Sequence, residues 1–111
     1  MNKRRRKEIY SIINKLNQLI HMANTEDKEQ LISQIRDISD DVGIICCDEE
    51  SYKDNIPENL QNGYRYEAAE EACDNLESAQ DSLEYIDEED TAESIVGALK
   101  EAINYLEDAS Q

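Results

Sequence analysis

Tyr64 to Ile86, YRYEAAEEACDNLESAQDSLEYI, constrains this chain more than any other stretch. At a helical period it divides into two faces. Ala69, Ala72, Leu76, Ala79, Leu83 and Ile86 recur at three- and four-residue steps and form one apolar stripe. Glu67, Glu70, Glu71, Asp74, Glu77, Asp81, Glu84 and Glu88 recur at the same steps on the opposite side, with no Lys or Arg among them. Like charges at i,i+4 each cost a helix a few tenths of a kcal/mol. A helix that needed only a soluble back would alternate Glu with Lys. The row therefore points to a partner-binding surface, although a merely solvated acidic face remains the alternative.

The rest of the chain follows the same period. Ile9, Ile12, Ile13, Leu16, Leu19, Ile20 and Ala23 predict a helix over residues 8–23. Leu31, Ile35, Ile38, Val42 and Ile45 step at 4, 3, 4 and 3, a heptad-like seam in a helix running from Asp27 toward Lys53. Asn24-Thr25-Glu26-Asp27 reads as its start, with Asn or Thr as the cap. A single helix fused through this point is the alternative. Ile95, Leu99, Ala102, Ile103 and Leu106 predict a last helix ending near Ala109, with Asp90-x-x-Glu93 as its capping pattern. Leu76-x-x-Ala79-x-x-x-Leu83 recurs as Leu99-x-x-Ala102-x-x-x-Leu106, a spacing that lets two helices pack as an antiparallel pair.

Two breaks interrupt the pattern. Ile56 precedes the only proline, Pro57, and is pushed out of the helical region. Gly63 can then take a positive φ and turn the chain. The second break is Asp87-Glu88-Glu89-Asp90, where the apolar seam loses phase. Three glycines and one proline in 111 residues argue against a hairpin-rich β protein. The expected fold is all-α: one domain over residues 1–111, a three- or four-helix bundle with long, partly coiled-coil-like helices. It comprises a basic arm at 1–7, a helical hairpin or long helix at 8–55, a loop at 56–63 and an acidic helical half at 64–111.

Charge is unevenly spread over a net −16. Residues 1–24 hold six basic residues against one acid, whereas residues 63–111 hold fifteen acids against two basic residues. So negative a body does not bind nucleic acid directly. It favours a cationic partner instead. The cations Lys3, Arg4, Arg5, Arg6 and Lys7 oppose the dipole at a helix start, so the arm is either frayed or paired with carboxylates elsewhere.

The segments MNKRRRKEI (1–9), DNIPENLQ (54–61) and RYEAAEEACDNLESAQDSLEYI (65–86) resemble a family of small acidic helical proteins from phages and prophages of Gram-positive bacteria. That resemblance implies a mobile-element origin and a helical fold. It carries no activity and no functional residue with it.

No catalytic constellation is visible. The single histidine, His21, has no nucleophile or acid patterned around it. Glu-x-x-His is absent, and Asp87–Asp90 lacks the alternation and the central glycine of a calcium loop. Cys46, Cys47 and Cys73 are odd in number and two are adjacent, which implies neither a disulfide framework nor zinc spacing. Cys73 adjoins an apolar stripe and reads as a small core residue. The expectation is therefore a protein with no catalytic residue, metal or cofactor. It would be a cytoplasmic interaction protein of the host cell, with no membrane partner. Its acidic row would mimic nucleic acid and block a basic nuclease or CRISPR effector. The alternatives are a helical adaptor acting through a dimer seam, and a basic arm resting on anionic lipid or nucleic acid.

Overall fold

The computed structural model describes residues 1–24 and 27–111. Four α-helices make up the described chain: α1 (Lys3–Met22), α2 (Lys28–Asp54), α3 (Tyr64–Glu84) and α4 (Ala92–Ala109). Among the described residues there is no strand. α3 packs along both α2 and α4, while α1 closes the ring against α4 and α2, more loosely. Short connections between successive neighbours make the order up-down-up-down. The result is an all-α four-helix bundle, a rod of 52 × 22 × 18 Å.

Each apolar stripe read from the sequence lines the core. Ile9, Leu16, Leu31, Ile35, Val42, Leu76, Leu83, Ile95, Leu99 and Leu106 are almost wholly buried. The matching triads Leu76/Ala79/Leu83 and Leu99/Ala102/Leu106 are buried together in the α3–α4 pair, so the repeated spacing serves helix packing. α1 and α2 are separate helices, and Asp27 caps α2 by accepting from the Glu29 N–H at 3.0 Å. Asn24 is thus not the cap, and Thr25 and Glu26 lie outside the described residues.

Three local expectations give way. α1 starts at Lys3 rather than Glu8, because Asn2 Oδ1 accepts from the Arg5 N–H at 2.8 Å and caps the first turn. Gly63 stays at φ −90° and caps α3, while a 3₁₀ turn at Glu58–Leu60 reverses the chain. The cap of α4 is Thr91, whose hydroxyl accepts from the Ser94 N–H at 3.1 Å. Asp90 instead accepts from the Asp87 N–H within the preceding turn.

Gly43 has a packing role. A Cβ there would lie 2.6 Å from Gln80 Nε2, the atom that donates to the Ser39 carbonyl across the α2–α3 interface. Gly97 has open space around it.

The basic arm is folded and engaged. The α1 seam, Ile9, Ile12, Leu16 and Leu19, continues back by four residues to Arg5, and the α2 seam continues on by four to Glu49. Both side chains are buried, and Arg5 Nε donates to Glu49 Oε2 at 2.7 Å. The Tyr52 ring lies 5.6 Å from the guanidinium. Arg6 Nε donates to the Ser110 carbonyl at 2.9 Å, a cation at the negative end of α4. Arg4 lies 3.6 Å from Glu8 and 3.8 Å from Asp48. The carboxylates of α2 and the end of α4 thus offset the unfavourable placement of positive charge at the start of α1.

Candidate functional site

α3 presents its carboxylates because its other side is fully used. At 100° per residue, Glu67, Glu70, Glu71, Asp74, Glu77, Asp81 and Glu84 fall within an arc of about 140°. All seven are exposed, and the complementary arc buries Ala69, Ala72, Cys73, Leu76, Ala79 and Leu83. The row climbs about 26 Å along the helix axis. Among the described residues, none of these carboxylates lies within ion-pair distance of a cation. Glu88 stands apart from the other seven. α3 stops at Glu84, so Glu88 sits in the exposed turn before α4, where Asp87 Oδ1 accepts from the Glu89 N–H at 2.8 Å.

A second acidic wall faces α3 across the groove it forms with α2. Asp40, Asp48 and Glu50 of α2 line this groove together with Glu77. Sequence reasoning passed over them because the apolar seam dominated that helix. The detectable signal was the spacing of Asp37, Asp40, Asp41 and Asp48, which places four acids on the side of α2 away from its seam.

Beneath this groove lie two buried thiols. Cys46 Sγ is 4.0 Å from the Cys73 carbonyl. Burial pushes the Cys46 thiol up to about 12, with Glu50 adding to it, and burial pushes Cys73 up to about 11. Neither is a thiolate at neutral pH, so neither is a nucleophile. Cys47 is exposed. His21 is exposed on α1. Among the described residues, no group of three or more His, Cys, Asp and Glu is arranged to hold a metal ion. No helix among them is long and apolar enough to cross a membrane.

Chemically, the arrangement is a convex field of carboxylates on a helical rod. It can attract, orient and bind cations carried by a larger surface. No family model, curated protein or solved structure matches the chain.

Proposed function

We propose that the protein is an acidic decoy that occupies the nucleic-acid channel of a basic host defence enzyme, a CRISPR effector or a restriction nuclease, on behalf of a mobile element. One observation carries this reading: seven exposed carboxylates, with no cation within ion-pair distance among the described residues, span about 26 Å of one helix that α2 and α4 hold in place. Side chains at i,i+3 and i,i+4 stand about 5–6 Å apart, comparable with successive phosphates on a strand. Lys and Arg placed to hold phosphates would accept such carboxylates as ligands.

A helical adaptor working through a dimer seam has less support. The α2 seam, Leu31, Ile35, Ile38, Val42 and Ile45, is spent inside the bundle. The arm reading is weakened likewise, since Arg4, Arg5 and Arg6 have partners within the chain.

The test is competition. Purified CRISPR effectors and restriction nucleases of Gram-positive hosts are assayed for cleavage with increasing amounts of the protein. Inhibition should be relieved by excess substrate and by salt. The variant Glu70→Gln/Asp74→Asn/Glu77→Gln/Asp81→Asn should lose inhibition. A control, Glu89→Gln/Glu93→Gln/Glu107→Gln/Asp108→Asn, removes the same charge elsewhere and should keep it. Equal loss in both would reduce the row to bulk charge. Absence of inhibition across the panel would remove the decoy reading.

A further inference from the structure

Ile44 is 60% exposed in the middle of α2. It stands on an outward strip with Asp40, Asp41 and Asp48 as its neighbours at three- and four-residue steps, and Asp37 one turn beyond. A β-branched residue is a poor choice for an exposed helix site. Beside it, the looser packing of α1 leaves a groove of about 330 Å³ between α1 and α2, bordered by Ile12, Ile45, Glu8 and Asp41. The groove runs on into a second of about 290 Å³, past Leu19 and Ile38 toward Asp37. Among the described residues, Lys15 is the one cation lining either of them.

We infer that the α1–α2 groove is a docking site for an amphipathic helix of a partner protein, with a basic edge turned toward α2. Three features fix this occupant. The floor is apolar, and Ile44 projects beside it as an anchor with carboxylates around it, the arrangement of an interface hot spot with a polar rim. The groove runs about 16 Å from Glu8 to Leu19, the length of three helical turns. Its α2 edge carries Asp37 and Asp41, which complement Lys or Arg. A second copy is the poorer occupant, because it brings a further net −16. The α1–α2 groove holds none of the α3 carboxylates, although Ile44 also borders the α2–α3 groove beside Glu77. The inference does not depend on the decoy reading, and the α3 variant in the test below tells the two grooves apart.

The test uses two synthetic 15-residue peptides of one composition, Leu and Lys with Ala. In one, Leu falls on a single helical stripe; in the other, the order is scrambled. Calorimetric titration into the full chain should show 1:1 binding of the stripe peptide, about tenfold tighter than the scrambled one. Ile44→Ala should weaken it about tenfold with an unchanged thermal melt, since the side chain is largely exposed. Ile44→Asp should weaken it further, with a slightly lowered melt from the added acid beside Asp40, Asp41 and Asp48. The α3 quadruple variant should change the affinity by no more than about threefold, the long-range part of the attraction. Equal binding of both peptides overturns the inference, as does unchanged affinity in Ile44→Asp. A dimer detected by light scattering and broken by Ile44→Asp also overturns it, because the occupant is then a second copy.

Discussion

Arg5 and Glu49 form a buried ion pair, 2.7 Å from Nε to Oε2, between the first turn of α1 and the last turns of α2. The other carboxylate oxygen, Oε1, has no hydrogen-bond partner and faces the Met1 ammonium at 3.9 Å. Breaking such a pair leaves one uncompensated charge in a dry site, which costs about 3–5 kcal/mol. Glu49→Gln and Arg5→Met should each lower stability on that scale, as measured by urea unfolding. Arg5→Met/Glu49→Leu should recover part of the loss, because an apolar pair of similar size removes both desolvation penalties but leaves the Met1 ammonium without its carboxylate. If the double variant is as unstable as the sum of the singles, the two residues are not coupled.

The glycines of α2 and α4 should respond differently to alanine. Gly97 has no atom near its would-be Cβ, so Gly97→Ala should raise stability by about 1 kcal/mol. Gly43→Ala gains the same helix propensity but must push Gln80 off the Ser39 carbonyl, which forfeits a hydrogen bond of about 1 kcal/mol. Its net change should lie near zero. Thermal melts of the two variants side by side resolve the difference.

The three thiols should separate by reactivity. At pH 8, a chromogenic disulfide reagent should modify Cys47 at once and reach Cys46 and Cys73 only on unfolding. Both buried thiols have native values above the ordinary 9.0, at about 12 and about 11. The unfolded chain therefore releases those protons first. The stability held by the neutral thiols is complete below pH 9 and is lost as pH rises through 11 and 12. Cys46→Ala/Cys73→Ala should flatten that alkaline decline in unfolding experiments at pH 8, 9 and 10. The same substitution should leave partner binding intact.

The acidic row should cost stability. Glu70, Asp74, Glu77 and Asp81 follow one another at i,i+3 and i,i+4 without an intervening cation. Their neutralisation to Gln or Asn should leave the melting temperature unchanged or raised at low salt. The gap to the parent protein should close as salt is added. A large loss of stability would mean that the row holds the fold rather than facing a partner.

The helices were legible because their cores are periodic. Leu31, Ile35, Ile38, Val42 and Ile45 mark one side of α2 with no help from any other segment. The ends were less legible. Arg5 and Glu49 occupy seam positions, yet their charges concealed them. Either residue alone would be read as surface, and only their meeting across 44 residues makes burial tolerable. The use of Gly43 was equally hidden, since Gln80 reaches it from another helix. The α3 row was visible because it needs only its own helix. The α1–α2 groove was not, because how loosely two helices sit together is not written in either one.

The placement of α1 and α3 has an electrical consequence. They occupy opposite corners of the bundle, each flanked by α2 and α4. α1 carries six basic residues against Glu8 alone, and α3 carries seven acids against Arg65 alone. The most negative side of the rod is therefore the α3 corner, and the least negative is the α1 corner, toward the start of α1. Screening at physiological ionic strength acts over about 8 Å, less than the 18–22 Å thickness of the rod. A basic surface closing on the molecule would feel the nearer side far more strongly than the farther one. The resulting torque would roll the rod about its long axis until α3 faced the surface and α1 pointed away. The first encounter would then select an orientation before any side chain touched.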